Sequence, residues 1–118
     1  MTNQEIMHAA DRQLSHVWMV RTFLKHSEEM EESDALPEVV RELYDYCLAV
    51  GPALKTQDAA EYLKVARKKL SRVRKAVEQY EEILPSVSTH TNFKMALMSL
   101  RTAVDEVARL LALSPATG

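Results

Sequence analysis

Apolar residues recur every three or four positions along most of this 118-residue chain, which is the spacing of one face of an α-helix. Two long runs show the pattern most clearly, one between residues 56 and 84 and one between residues 88 and 113. The apolar positions of the first run are Leu63, Ala66, Leu70, Val73, Val77, Tyr80 and Leu84. Those of the second run are Phe93, Leu97, Leu100, Val104, Val107 and Leu111. Each run therefore predicts an amphipathic helix with one buried side, the third and fourth helices of the chain.

Capping and helix-breaking residues predict two helices before these. Thr2 and Glu5 have the spacing of a capping box, so a first helix is expected from Thr2 to about residue 32. Pro37 then favours a new start, and a short second helix is expected over about residues 38 to 50, because a Gly-Pro pair follows it. For the third and fourth helices, Thr56 and Ser88 are the expected N-terminal residues, and Pro85 is expected to end the third.

Short connections between long helices favour antiparallel neighbours. The expected fold is therefore all-α, an antiparallel, up-down-up-down four-helix bundle in which the second helix is short. The chain has only two glycines, which agrees with a helical protein and gives no sign of a strand. We expect a single domain over residues 1–113, followed by a C-terminal tail at residues 114–118.

Composition and charge limit the class of partner and the cellular compartment that this protein is expected to have. The formal net charge of −2 does not fit a generally basic nucleic-acid-binding protein. A single cysteine, Cys47, cannot form an internal disulfide, which favours a reducing compartment. The chain starts without a leader-like segment and has no apolar run of roughly 18 residues, so we expect a soluble cytoplasmic protein with no membrane contact.

Motifs for metal or cofactor binding are missing from the sequence. None of the four histidines stands in a His-x-x-x-His pair, and the one Glu-x-x-His pair, Glu5 and His8, has no second such pair to complete a di-metal site in a helical bundle. No Gly-rich phosphate loop or serine nucleophile motif occurs either. The sequence therefore predicts no metal, no cofactor and no enzymatic activity.

The segment KVARKKLSRVRK, residues 64–75, concentrates positive charge on the side of the third helix opposite its apolar positions. Its candidate contacts for a polyanion or an acidic partner are Lys64, Arg67, Lys68, Arg72 and Lys75. Three of these, Arg67, Lys68 and Arg72, have no acid three or four residues away. A solvated helix surface is one interpretation, and nucleic-acid binding is the alternative, although the segment offers no aromatic residue for base stacking.

The first helix is apolar over more than one face, and this predicts self-association. The candidate residues are Met7, Trp18, Met19, Phe23 and Met30. A short second helix would leave one side of the bundle incompletely covered, so the surplus apolar surface favours a homodimer. An antiparallel dimer would also bring the acidic segment EEMEESD, residues 28–34, toward the basic segment of the other chain.

A third hypothesis comes from RTFLKH, residues 21–26, which resembles the Arg-x4-His signature of the HEPN superfamily of small helical bundles. The resemblance covers Arg21 and His26 and implies a ribonuclease in which a second subunit completes the phosphate site. The expected function is nevertheless a non-enzymatic one, in which a helical bundle binds protein surfaces, its own included. Nucleic-acid binding and a HEPN-like ribonuclease are the alternatives.

Overall fold

Residues 1–114 are the part of the chain that the structure, a computed structural model, describes. Within them lie five helices, and they follow in the order α1 (Asn3–Lys25), α2 (Glu29–Glu32), α3 (Leu36–Lys55), α4 (Ala59–Val87) and α5 (Thr91–Leu113). These described residues contain no strand, which confirms the all-α prediction.

Contacts between the four long helices establish the up-down-up-down order. At one end of the bundle Ser114, just after α5, donates a hydrogen bond to Asn3 at the start of α1. At the other end the Phe23 ring of α1 lies 5.0 Å from the Phe93 ring of α5, so these helices are antiparallel.

The remaining neighbours are also antiparallel. Trp18 of α1 stacks against Tyr44 of α3, the Tyr46 hydroxyl of α3 donates to the carbonyl of Ala66 in α4, and α4 in turn packs against α5. Because α1 and α4 each pack against both α3 and α5, they face each other across the core, and their outer sides lie on opposite sides of the molecule.

The first helix ends at Lys25 and not at residue 32 as expected. Its last carbonyls bind the backbone of His26 and the hydroxyl of Ser27, which closes the helix. Continuation is disfavoured because the acidic residues that follow would face the negative end of the helix dipole. Three of them, with Met30, form the separate short helix α2, Glu29–Glu32.

Prolines were expected to end the second and third helices, and in both cases this is wrong. Pro52 lies inside α3 and Pro85 lies inside α4. Both prolines are exposed, so the carbonyl that loses its N–H partner is on the solvent side of the helix, where the loss is least costly. As a result α3 has 20 residues and a length of about 30 Å, which leaves it the shortest long helix by a small margin only.

Helix N-termini agree with the predictions in one case and differ in two. The capping box of Thr2 and Glu5 is present as expected. Asp58 caps α4 in place of Thr56, since its carboxylate accepts the N–H of Glu61 at 3.1 Å. His90 caps α5 in place of Ser88, because the ring Nδ1 accepts the N–H of Asn92.

The core runs along the whole bundle between the four long helices, and nearly all the apolar positions predicted for α4 and α5 belong to it. Ser114, the first residue of the expected tail, is buried against this bundle. The Ser114 hydroxyl donates to Asn3, and its carbonyl accepts from Arg67. The rest of the expected tail, residues 115–118, lies outside the described residues.

Candidate interaction surfaces

Trp18 and Met19 are the two predicted self-association residues that the structure places on the surface, with 40% and 63% of their area exposed. Phe23 and Met30 are half-buried and pack against the core. Met7 is a correction, because it is fully buried. It lies close to two full turns before the core residue Leu14, so both side chains point inward.

The neighbouring helices add exposed apolar side chains on both sides of α1. Leu48 of α3 is 57% exposed, and Met95 and Met98 of α5 are 54% and 61% exposed. We call these three residues, together with Trp18 and Met19, the outer α1 face. Exposed apolar side chains on neighbouring helices can mark a protein contact surface.

A shallow groove of about 220 Å³ runs between α1 and α5 on this side. Its lining residues are Gln13, His16, Met95, Met98, Ser99, Thr102 and Ala103. Methionine side chains are flexible and polarisable, and they adapt to differently shaped partners. The groove therefore has the chemistry of a protein contact surface.

Arg21 lies on the α3 side of α1 in an aromatic setting. The central carbon of its guanidinium is 4.7 Å from the centre of the Trp18 ring and 4.8 Å from that of Tyr44. The two rings are themselves 5.8 Å apart. These distances are within the range of cation–π attraction, which holds the guanidinium in one place.

His26, the other residue of the HEPN-like signature, has a different neighbour. Its Nδ1 lies 2.9 Å from the carbonyl of Thr22, at the C-terminal end of α1. Within this chain Arg21 and His26 therefore make separate contacts.

The basic segment of α4 divides into exposed residues and one residue with a structural contact. Lys64, Lys68, Arg72 and Lys75 are exposed, and we call them the basic stripe. The only ion pair of the stripe within residues 1–114 joins Arg72 Nε to Glu42 Oε2 at 3.8 Å, and the Arg72 side chain is 68% exposed. Such a pair contributes little stability.

Arg67, by contrast, is half-buried and clasps the end of α5. Its Nη2 donates to the carbonyls of Leu111 and Ser114, both at 3.0 Å. A cation is favourable at this position because the C-terminal end of a helix carries partial negative charge. The sequence offers Arg67 no acid three or four residues away, and its partners in the structure are backbone carbonyls at the end of α5.

The acidic segment, residues 28–34, lies at the far end of α4 from the basic stripe, as the antiparallel order predicts. Glu29, Glu32 and Asp34 line a cleft of about 330 Å³ with Ile83 and Ser86. Glu28 and Glu31 are exposed and are not among the lining residues.

The hydroxyls of Tyr46 and Tyr62, between α1, α3 and α4, both have hydrogen-bond partners within the fold. The Tyr62 hydroxyl donates to Asp11 at 3.0 Å, and burial raises the pKa of Tyr62 well above its usual range. Burial also raises the pKa of the Cys47 thiol to about 12, so the thiol stays protonated near neutral pH. A protonated, half-buried thiol is a poor nucleophile.

Two structural features are absent from residues 1–114. No group of three or more histidine, cysteine, aspartate or glutamate side chains there is placed to hold a metal ion. None of the helices in this range combines the length and the apolar character that crossing a bilayer requires.

Sequence reasoning missed Tyr44, Leu48, Met95 and Met98 as surface contributors. For the two methionines a signal exists, since they fall outside the apolar spacing of Phe93, Leu97 and Leu100. No protein-family model, curated protein or solved structure matches this chain.

Proposed function

We propose that this protein acts by binding protein surfaces, and that its first partner is a second copy of itself, held through the outer α1 face. The observation that supports this most is the group of exposed apolar side chains on α1, α3 and α5. Aromatic and methionine side chains are enriched where protein interfaces form, and lysine and glutamate are depleted there.

The proposed role is non-enzymatic and the proposed location is the cytoplasm. The reactive groups support the first point, because the Cys47 thiol is protonated and the Tyr62 hydroxyl is bonded to Asp11. The single cysteine supports the second, since a secreted domain of this size commonly relies on disulfides.

The bundle order changes how such a dimer would be arranged. Because α4 lies diagonally opposite α1, a dimer formed through the outer α1 face leaves the basic stripe on the far side of each copy. The charge pairing between the acidic segment and the basic stripe, which the sequence favoured, is therefore not part of this proposal.

Sedimentation velocity with a charge on the outer α1 face tests the proposal. We expect the wild-type protein to sediment as a dimer, and the variants Trp18→Glu and Met19→Glu to shift toward a monomer of 13.4 kDa. The reason is that each variant would have to bury a charge in the interface. Lys64→Glu on α4 is the control and should leave the dimer intact. A wild-type protein that sediments as a monomer up to about 100 µM would contradict the proposal.

The exposed basic stripe supports polyanion binding as a second candidate function. If it binds a duplex, neutralising about four phosphates should make the affinity fall with salt at a log-log slope of roughly −3 to −4. Binding that is absent at low salt, or that persists after Lys68→Glu with Arg72→Glu, would count against this candidate.

A further inference from the structure

We propose that the groove between α1 and α5 binds a soft monovalent metal ion, Cu(I), through the imidazole of His16 and the thioether sulfurs of Met95 and Met98. These three side chains line one groove of about 220 Å³, and all of them are exposed to solvent. The inference concerns a ligand other than a protein, so it goes beyond the proposed function and does not depend on it.

The register of the two helices places the three donors at neighbouring levels of the bundle. A ring contact and a hydrogen bond, at opposite ends of the α1–α5 pair, show that the numbers of facing residues add to about 116. His16 is therefore about 3 Å along the helix axis from Met98 and about 8 Å from Met95. An ion held between the two methionines lies within reach of all three side chains, because methionine is long and has three rotatable bonds.

The spacing of donors along each helix supports a common site. Met95 and Met98 are three residues apart, which puts both sulfurs on one side of α5. On α1 the same spacing joins His16 to Met19, whose side chain is 63% exposed beside the groove but does not line it. Donor pairs at this spacing on facing helices are how helical bundles build metal sites.

The chemistry of the donors selects the metal. Thioether sulfur is a soft, uncharged ligand that favours Cu(I), whereas magnesium, calcium and manganese favour carboxylate and carbonyl oxygens. Because no carboxylate lines the groove, it offers a hard divalent ion no compensating charge. The reducing compartment that the single cysteine favours also keeps copper in the Cu(I) state. The prediction that the chain binds no metal was based on histidine, cysteine and carboxylate ligands and did not consider thioethers.

The donors are free of contacts that an ion would have to replace. His26 and His90 each place Nδ1 against a backbone group, and His16 forms no such hydrogen bond within residues 1–114. Met95 and Met98 are 54% and 61% exposed, although methionine is a residue type that proteins commonly bury. An ion can therefore bind in the groove without breaking a hydrogen bond of the fold.

Anaerobic titration with Cu(I), kept reduced by ascorbate, tests the site by methyl NMR. The chain has six methionines, and Cu(I) is diamagnetic, so each methyl signal can be followed separately. We expect the Met95 and Met98 signals to shift together and to reach their end points at one ion per chain. The shifts should persist in Cys47→Ala, which removes the free thiol that would compete for a soft ion.

Competition with a Cu(I)-specific chelator measures the affinity of matched variants. Met95→Leu with Met98→Leu, and His16→Gln alone, should each weaken Cu(I) binding at least about 10-fold, because each removes donors of the site. Leucine conserves the volume and the apolar surface of methionine, so a dimer formed through the outer α1 face should persist. Met19→Leu is the control, because Met19 is similarly exposed but lies outside the groove, and it should change the affinity by less than about 2-fold.

Each result supports or overturns the site. An affinity that falls as much in Met19→Leu as in the double variant, or shifts spread over all exposed methionines, would show binding to scattered thioethers and overturn the groove site. Binding that disappears in Cys47→Ala would assign the ion to the thiol and overturn it as well. If the circular dichroism of the double variant differs from wild type, Met98→Leu alone should still weaken binding about 3-fold or more. Absence of saturable Cu(I) binding by the wild type overturns the proposal outright, whereas sedimentation of the same samples reports separately on self-association.

Discussion

Replacing Arg67 by glutamine should destabilise the protein far more than the same change at Arg72, although the two arginines belong to the same basic segment. Arg67 donates two hydrogen bonds of 3.0 Å to the carbonyls of Leu111 and Ser114. Arg72 has one ion pair of 3.8 Å and a side chain that is 68% exposed. The same substitution is thus compared at an arginine that is hydrogen-bonded to the backbone and at an arginine that is mostly in contact with solvent.

The magnitudes follow from the two environments. A hydrogen bond from a charged group contributes about 1.5–3 kcal/mol when it is shielded from water. Because Arg67 is half-buried and the glutamine side chain ends two bonds short of the position of Nη2, we expect a loss of about 1–3 kcal/mol for Arg67→Gln. For Arg72→Gln the expected loss is about 0–0.5 kcal/mol.

Urea unfolding followed by circular dichroism measures both values under the same conditions. A thermal melt should show a lower Tm for Arg67→Gln by about 4 to 10 °C and a change of at most about 2 °C for Arg72→Gln. Equal urea midpoints for the two variants would show that the hydrogen bonds of Arg67 to Leu111 and Ser114 do not stabilise the fold.

Four further results are expected. Met7→Ala should lower the unfolding free energy by about 2–5 kcal/mol, whereas Met19→Ala should change it by no more than about 0.5 kcal/mol, and equal losses in urea melts would contradict their assignment to core and surface. Burial raises the pKa of the Cys47 thiol to about 12, so Cys47 should react with a thiol reagent near pH 8 only after the protein is unfolded, and rapid labelling of folded protein would contradict this. Burial raises the pKa of Tyr80 from 10.0 to about 12, which favours the neutral phenol in the folded state. The stabilisation of the folded state by the neutral Tyr80 phenol is therefore complete below about pH 10 and is lost as the pH rises toward 12. A urea midpoint that does not fall between pH 10 and pH 12 would contradict this prediction. Addition of EDTA should leave the Tm unchanged, and a fall of several degrees would indicate a bound metal.

Hydrophobic spacing was enough to predict the helical fold and its order, because the buried faces of α4 and α5 follow a regular repeat. It failed at Pro52 and Pro85, since the sequence does not show that each proline lies on the exposed side of its helix. The expected end before Pro52 made the second helix too short. The mismatch in helix length, which first favoured a dimer, is therefore smaller than expected.

The candidate surface was predicted only in part, for a related reason. Trp18 and Met19 could be identified from α1 alone, but Tyr44 and Met98 join them through the packing of three helices. Arg67 shows the same limit, because the carbonyl of Leu111 that it binds is 44 residues away in the sequence. A search for acids three or four residues away in the same helix cannot find such a partner.

Fluorescence of Trp18 against protein concentration tests the central claim most directly, because this is the only tryptophan and it lies on the outer α1 face. Over about 0.1 to 100 µM we expect the emission to move to shorter wavelength and quenching by acrylamide to decrease as the dimer forms, since the indole is 40% exposed in the single chain. The Trp18 signal of Met19→Glu should stay at the monomer value throughout. Emission and quenching that do not change, in samples that sedimentation shows to be dimeric, would place the interface elsewhere and contradict the account.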